Sequence, residues 1–143
     1  MKTSVKRVYE TAARADGTRV LVDRLWPRGM TKESAAVDNW LKDLAPSDEL
    51  RKWFHAYPEQ WATFRKKYLK ELGLPVPSAS LEELYRLAEN KKITLLFASK
   101  DEDHNNAIVL RDLINGMRKP PTGTGPAAAR GMRARQVKTM PRR

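Results

Sequence analysis

Short apolar runs alternate with amphipathic segments along the first 117 residues of the chain. "VKRVYE" (5–10) alternates apolar and polar positions, which predicts a strand. "TRVLVDRL" (18–25) carries three apolar residues in succession and predicts a strand that is covered on both faces. Gly17, in the turn "ADG" between these two strands, is expected to supply a positive φ. Pro27 is expected to stop the second strand, because proline cannot donate to a ladder.

The next segments predict a short helix and a strand. "TKESAAV" (31–37) indicates a helix, with Thr31 as its cap and Ser34 in its first turn. "DNWLKDLAP" (38–46) fits either a helix or a strand, because Val37, Leu41 and Leu44 have helical spacing while the segment is short and ends in proline. We favour a strand.

Two amphipathic helices follow, with a third after a loop. Ser47 is a strong N-cap for the first helix, and Pro58 separates it from the second. Gly73 is expected as the C′ residue that ends the second helix. "LPVPSA" (74–79) is predicted to be a loop. Ser80, with Glu83 three residues later, is predicted to cap the next helix.

The last part of the predicted domain is a strand followed by a helix. "KKITLLFAS" (91–99) predicts a central strand, and "NNAIVLRDLINGM" (105–117) predicts the helix after it. Strands that alternate with helices indicate a mostly parallel sheet. We therefore predict an α/β fold: a single three-layer domain over residues 1–117, with helices on both faces of a mostly parallel sheet.

Charge separates the end of the chain from this domain. The net charge is +11, but residues 118–143 hold eight basic residues and no acid, which leaves +3 for residues 1–117. This tail is rich in Pro, Gly, Ala and Arg and lacks apolar periodicity, so we predict that it is disordered. Two interpretations stay open: a solubilising extension, or an arm that binds nucleic acid or another acidic partner.

Composition excludes several classes of protein. The chain has no cysteine, which excludes disulfides, thiolate metal sites and cysteine nucleophiles. No apolar run is long enough to span a membrane, and the first residues do not resemble a secretory signal. We expect a cytoplasmic protein without a membrane partner. The sequence leaves its oligomeric state and any cofactor open.

Two predicted strands end in polar loops. The first is followed by Asp23, Arg24, Trp26 and Arg28, and the second by Lys100, Asp101, His104, Asn105 and Asn106. Ligands of open parallel sheets usually bind at the carboxyl ends of the strands. If these two strands are neighbours, their loops face each other and can form one site.

The residue types in these loops suit an anionic ligand. Arg24, Arg28 and Lys100 are donors for phosphate or carboxylate groups, and Trp26, Asn105 and Asn106 are further candidates for ligand contacts. The candidate catalytic residues are those that can transfer a proton, Asp23, Asp101 and His104.

Each candidate also has a structural interpretation. Asp23 and Arg24 could form an ion pair at the strand end, and Asp103 or Asn105 could be an ordinary helix cap. A calcium loop is rejected, since Asp101, Asp103 and Asn105 are followed by no glycine at the sixth position and no glutamate at the twelfth. No metal site is predicted. Nucleotide-binding glycine loops and serine-hydrolase motifs are missing from the sequence.

Several motifs in order resemble one family over about residues 4–115. "DGTRVLVDRLWPRG", "WLKDLAPSDELRKWF" and "ITLLFASKDEDHNNAIVL" are similar to the YeaO-like branch of the domain of unknown function 488 family. The resemblance implies a small α/β domain and no established activity. It also implies an early loop with Asp23, Arg24 and Pro27, and a late loop with acids and His104. The cysteine that the wider family places in the late loop has no counterpart here.

Three functions follow as hypotheses. The first is a small enzyme or binding domain for an anionic small molecule, phosphorylated or nucleotide-like, at the carboxyl ends of the strands. The second is a nucleic-acid-associated protein that uses the basic tail. The third is an interaction protein without chemistry.

Overall fold

A four-stranded parallel sheet is the central element of the computed structural model, which describes residues 2–116. Its strands, in spatial order, are β1 (Ser4–Arg7), β4 (Ile93–Phe97), β2 (Thr18–Leu21) and β3 (Asn39–Trp40). Every pairing is parallel, so all four carboxyl ends lie at the same edge. The strand latest in the sequence therefore lies between the two earliest.

Within the described part of the chain, five α-helices accompany the sheet. They are α1 (Lys32–Ala35), α2 (Asp48–Ala56), α3 (Trp61–Leu72), α4 (Pro75–Ala88) and α5 (Asn106–Gly116). Two 3-10 turns precede β2 and α2, at Arg14–Asp16 and Lys42–Leu44. Within residues 2–116, none of these helices is both long and apolar enough to cross a membrane.

The predicted α/β class is confirmed by the parallel sheet and its helices. All five residues of β4 are buried, and because alternate residues point to opposite faces, both faces of this strand are covered. Helix α5 packs against β4 and β1. The predicted limit of the domain at residue 117, and the predicted disorder of residues 118–143, lie outside the described residues.

The described chain divides into two compact units. Residues 2–45 and 84–116 form the first, which contains the whole sheet, and residues 46–83 form the second, which contains α2 and α3. In the second unit the rings of Phe54 and Phe64 stack with their centroids 4.3 Å apart. Its first helix is capped by Ser47, whose Oγ accepts the N–H of Leu50 and donates to the Glu71 carboxylate at 2.6 Å.

Several local predictions are confirmed. Thr31 accepts the N–H of Ser34 at the start of α1, and Gly17 has the expected positive φ, +67°. The ambiguous segment 38–46 is a two-residue strand followed by a 3-10 turn. Helix α3 ends at Gly73 as predicted, but Gly73 is right-handed, with φ −84° and ψ −8°. This helix end does not require the conformational freedom of glycine.

The predicted start of α4 is wrong. The segment 74–79 was expected as a loop with Ser80 as the cap of the helix after it, yet the helix begins at Pro75 and Ser80 lies inside it. Pro75 and Pro77 fall in the first turn, where backbone N–H groups have no acceptor within the helix. Proline therefore removes no helical hydrogen bond at either position. The N–H of Ser78 makes the first such bond, to the Leu74 carbonyl at 2.8 Å.

Pro27 does not end the second strand. Strand β2 ends at Leu21, and the N–H of Val22 still donates to the Leu96 carbonyl at 3.2 Å. Beyond Val22, the next N–H along the neighbouring strand is that of Ala98, directly after β4. It donates to the Asp23 side chain at 2.9 Å. A carboxylate has replaced the backbone acceptor, and this replacement ends the ladder.

A buried ionic cluster lies at the other edge of the sheet. The Asp16 carboxylate accepts the N–H of Ala13 at 2.9 Å, Lys6 Nζ at 3.1 Å and Arg19 Nη1 at 2.5 Å. Arg19 is 3% exposed and also donates to the Ala35 carbonyl at 2.8 Å. Burial acts to raise the pKa of Asp16, but the bond from Ala13 and the two cations outweigh it and hold that pKa below its ordinary value.

Replacing Gly17 by Ala should destabilise the protein far more than replacing Gly29 by Ala. Both glycines have positive φ, so either substitution costs about 1–2 kcal/mol in backbone strain. A Cβ at position 17 would lie 2.3 Å from the Lys92 carbonyl oxygen, whereas one at position 29 would meet nothing within 4 Å. We expect Gly17→Ala to lose at least about 2 kcal/mol more in urea unfolding. Equal losses would contradict this steric explanation.

Asp16→Asn should lower the free energy of unfolding at pH 7 by about 3 kcal/mol, because it leaves Arg19 buried without its counterion. A pKa that is lowered on folding gives stability that is present above the ordinary value and is lost as pH falls through the folded-state value. The variant should therefore lose less stability than the wild type between pH 5 and pH 2, as followed by urea unfolding.

Asp48→Asn is the matched control for Asp16→Asn. The pKa of Asp48 is also lowered, by Arg51 and Lys52, but this ion pair is exposed. Water and salt screen such pairs, so the control should change stability little. The buried-cluster explanation fails if the two aspartates give similar losses.

Candidate functional site

The two polar loops that the sequence singles out lie side by side. Strands β2 and β4 are neighbours in parallel register, with Leu21 paired to Leu96, so the loops of residues 22–30 and 98–105 leave the sheet at the same edge. The expectation that these loops face each other is confirmed. The carboxyl-end edge of the sheet is therefore the candidate site.

Asp23 joins the two loops through its side chain. One carboxylate oxygen accepts the N–H of Ala98 at 2.9 Å, and the other accepts Nδ2 of Asn106 at 3.1 Å. The same Asn106 amide donates to the Val22 carbonyl at 2.9 Å, and the Trp40 indole donates to the Asp23 carbonyl at 2.8 Å. The loop that follows β2 is thereby bonded to β3, to the end of β4 and to the start of α5.

The half-buried position of Asp23 raises its pKa. Burial is the largest influence, and it outweighs the hydrogen bonds from Ala98 and Asn106, which favour the ionised form. The folded state therefore binds the proton more readily than the unfolded state does. The contribution of Asp23 to stability is present below the pKa of the unfolded state and is lost as pH rises through the raised pKa of the folded state. Each oxygen of the Asp23 carboxylate accepts one of these hydrogen bonds. Together the two bonds tie the loop that follows β2 to the end of β4 and the start of α5.

Asp101 shapes the second loop. One of its carboxylate oxygens accepts the N–H groups of Asp103 and His104, each at 3.0 Å, and the other lies 3.5 Å from Nδ1 of His104. Both side chains are about half exposed. The carboxylate that was predicted as a catalytic candidate thus folds its own loop and pairs with the candidate histidine.

The two asparagines after this loop have structural contacts. Asn105 is 4% exposed, accepts the N–H of Ile108 at 3.0 Å and donates to the Asp101 carbonyl at 2.8 Å. It is the N-cap of α5, which confirms the structural interpretation of this position. Asn106, the first residue of α5, reaches back to Val22 and Asp23.

Trp26 anchors the first loop to the core. Its indole N–H donates to the Met30 carbonyl at 2.8 Å, and its ring meets that of Trp40 edge-on with the centroids 5.5 Å apart. It packs against a cluster of fully buried side chains that includes Val8, Leu21 and Leu96. These contacts fix the path of residues 22–30. The predicted ligand contact of Trp26 stays a prediction.

The three predicted cations are exposed. Arg24, Arg28 and Lys100 each present their side chain to solvent. Arg24 donates from Nη2 to the Ala45 carbonyl at 3.3 Å, which orients this guanidinium. The acids of the two loops include Asp23 and Asp101, which are committed to the internal contacts above, and the exposed Glu102 and Asp103.

Sequence reasoning missed Arg7 and Tyr9. Arg7 donates from Nε to the Ser99 carbonyl at 2.9 Å and from Nη2 to the Ala98 carbonyl at 3.0 Å. Its guanidinium carbon lies 5.1 Å from the centroid of the Tyr9 ring, and the Tyr9 hydroxyl donates to the Arg28 carbonyl at 3.0 Å. The signal was the alternation in "VKRVYE", which buries Val8 and turns its two neighbours the other way.

The remaining predictions about this site concern metals and the tail. Among residues 2–116, no group of three or more histidines and carboxylates is placed to hold a metal ion. The basic arm that was expected to contact nucleic acid, residues 118–143, lies outside the part of the chain that the structure describes.

Comparison with known proteins places the chain in a family. Residues 2–126 match the family described as the inactive DUF488-N3 subclade. The uncharacterized protein YeaO of Escherichia coli (strain K12) is 43% identical over 117 residues, which cover 82% of this chain and 100% of that protein. The uncharacterized protein Rv3073c of Mycobacterium tuberculosis (strain H37Rv) is 43% identical over 115 residues, 80% of this chain and 95% of that protein.

A further relative, the uncharacterized protein Mb3100c of Mycobacterium bovis, has the same identity and coverage as Rv3073c. None of the solved structures matches the chain. The family match covers most of the sequence, and the chain spans nearly the full length of these relatives. This chain therefore belongs to the YeaO-like branch of the domain of unknown function 488 family.

Proposed function

We propose that the protein binds a phosphorylated small molecule at the carboxyl-end edge of its sheet. The observation that carries the proposal is the tie made by Asp23, which holds the loops of residues 22–30 and 98–105 against each other. Arg28 lies in one loop and Lys100 in the other, and both are exposed. Two cations on loops of fixed relative position are suited to a compact anion.

The internal contacts of the loops favour an anion over a cation as the ligand. Asp23 accepts two hydrogen bonds from within the protein, and Asp101 accepts two backbone N–H groups and pairs with His104. These two carboxylates thus hold the loops in place through internal hydrogen bonds. Arg28 and Lys100 are exposed, and their side chains are hydrogen-bond donors that suit an anion.

Binding without chemistry agrees best with these contacts. Each oxygen of Asp23 already accepts a hydrogen bond that holds the two loops together, a structural role that needs no proton transfer. The family to which the chain belongs is described as an inactive subclade, which also supports binding rather than catalysis. His104, the other candidate from the late loop, is about half exposed and lies beside Asp101.

The basic tail supports a second candidate function. Residues 118–143 hold eight basic residues and no acid, a composition that favours contacts with nucleic-acid phosphates. Such contacts would depend on the tail and fall steeply with salt, whereas binding at the sheet edge would depend on Arg28 and Lys100. The two functions can therefore be separated by experiment.

The double variant Arg28→Ala and Lys100→Ala should bind pyrophosphate at least about tenfold more weakly than the wild type, because two charge-assisted contacts are lost. Both side chains are exposed, so the melting temperature should change little. Isothermal titration calorimetry at fixed ionic strength gives the affinity, and calorimetric melting gives the stability.

Lys91→Ala is the matched control for this double variant. Lys91 is exposed and lies two residues before the amino end of β4, at the opposite edge of the sheet, so its loss should leave pyrophosphate affinity unchanged. An equal loss with Lys91→Ala would indicate non-specific attraction to net charge. If deletion of residues 118–143 abolishes binding while the double variant retains it, the tail and not the sheet edge is the site.

Asn106→Ala should weaken both the tie between the loops and pyrophosphate binding. It leaves the Val22 carbonyl and one Asp23 oxygen without their donor, at a cost of about 1–3 kcal/mol in unfolding free energy. Because the bond from Asn106 acts to lower the pKa of Asp23, that pKa should rise further in the variant. The carboxyl carbon shift of Asp23, followed by NMR against pH, measures this change.

Asn115→Ala controls for the loss of stability. Asn115 lies at the other end of α5 and also makes two bonds to backbone, to the N–H and the carbonyl of Thr3, each at 2.9 Å. Its removal should cost similar stability and leave both the pKa of Asp23 and pyrophosphate affinity unchanged. If the Asn106 variant binds pyrophosphate as well as the Asn115 variant does, the tie is not required for binding.

A further inference from the structure

A third segment of the chain completes the candidate site. Strand β4 lies between β1 and β2, yet the loop that follows β2 is bonded to the second residue after β1, because the Tyr9 hydroxyl donates to the Arg28 carbonyl at 3.0 Å. Arg7, the last residue of β1, donates to the carbonyls of Ala98 and Ser99. Arg7 and Tyr9 thus connect with both cation-bearing loops.

The Tyr9 ring is held in a defined position at this edge. Its hydroxyl is fixed by the Arg28 carbonyl, and the Arg7 guanidinium lies 5.1 Å from the ring centroid. The guanidinium is itself fixed by two carbonyl acceptors at 2.9 and 3.0 Å. A ring restrained at both its hydroxyl and one face loses little conformational entropy when another planar group stacks on it.

Tyr9 nevertheless remains exposed. It is 41% accessible to solvent, while its neighbour Val8 is fully buried in the core. Burial in the core therefore does not account for an aromatic residue at this position. Its hydrogen bond uses the polar tip and the Arg7 guanidinium lies over one face, so the exposed remainder of the ring is the part available for an apolar or aromatic contact.

We propose that Tyr9 is a stacking platform for the base of a nucleotide whose phosphate is bound by Arg28 and Lys100. This inference rests on the proposed binding of a phosphorylated molecule and adds the chemical class of the rest of that molecule. The hydroxyl bond from Tyr9 to Arg28 keeps the ring beside the backbone of the phosphate-binding loop. Stacking on an aromatic ring tolerates any base, so the platform selects nucleotides over sugar phosphates without selecting one base.

Comparison of AMP with ribose 5-phosphate tests the platform, because the two differ at the base. The wild type should bind AMP about tenfold or more tightly than ribose 5-phosphate in calorimetric titration, as stacking of one base contributes. Tyr9→Leu should remove this preference, so that the variant binds AMP and ribose 5-phosphate with affinities within about twofold of each other. Tyr9→Phe, which keeps the ring and loses the hydroxyl, should retain most of the preference.

Two further variants keep the test decisive. Tyr9→Trp should retain or increase the preference for AMP, so the inference can be judged even if Tyr9→Leu unfolds. Tyr57→Leu is the control, because Tyr57 is a 50% exposed tyrosine that follows α2 in the second unit. Its substitution should change neither affinity.

The possible results separate this inference from the proposed function. If AMP and ribose 5-phosphate bind equally and both depend on Arg28, the inference is overturned and phosphate binding stands. If Tyr9→Phe loses the preference as fully as Tyr9→Leu does, a hydroxyl contact accounts for it and stacking is overturned. If neither compound binds the wild type, both proposals fail.

Discussion

The hydrogen bonds of the Asp23 carboxylate decide the arrangement of the whole carboxyl-end edge. After Val22 the backbone ladder between β2 and β4 ends and side chains take its place, because Ala98 donates to Asp23 and the Val22 carbonyl accepts from Asn106. The chain of residues 22–30 is then free to leave the sheet plane while the end of β4 keeps its hydrogen bonds. A half-buried carboxylate is costly to ionise, and the donors from Ala98 and Asn106 offset part of that cost.

The same residue types serve as loop organisers and as catalytic groups, and here most of them organise loops. Asp101 accepts two backbone N–H groups, Asn105 caps α5, and Trp26 packs over the core below the loop. Short polar side chains bond easily to nearby backbone, so they are frequent wherever a strand passes into a helix. Their presence in a loop is therefore weak support for chemistry.

The charged side chains at one edge of the sheet are buried and paired, whereas cations at the other edge are exposed. At one edge the Asp16 carboxylate and the Arg19 guanidinium are buried against each other, and the remaining donors of Arg19 reach backbone carbonyls. At the other edge Arg28 and Lys100 are exposed on loops that are bonded to the sheet. Internal pairing makes the first edge structural, since breaking a buried pair is strongly unfavourable. The second edge, where these cations are exposed, is the one at which we propose ligand binding.

The sequence by itself determined the local structure and the class of the fold. Apolar runs predicted the strands, Thr31 and Ser47 predicted helix starts, and Gly17 predicted the turn, because each depends on neighbours a few residues away. The sequence placed α4 wrongly, since proline reads as a loop signal although the first turn of a helix accepts it.

Only the tertiary structure decided the order of the strands, and with it the composition of the site. Local periodicity carries no information about the partner of Asp23, which lies 75 residues away at Ala98. Nor does it show that β4 would bring Arg7 and Tyr9 beside the loop of Arg28. These contacts join segments distant in the chain, and hydrogen bonds of that kind are fixed by the packing of the sheet rather than by the sequence pattern of any one segment.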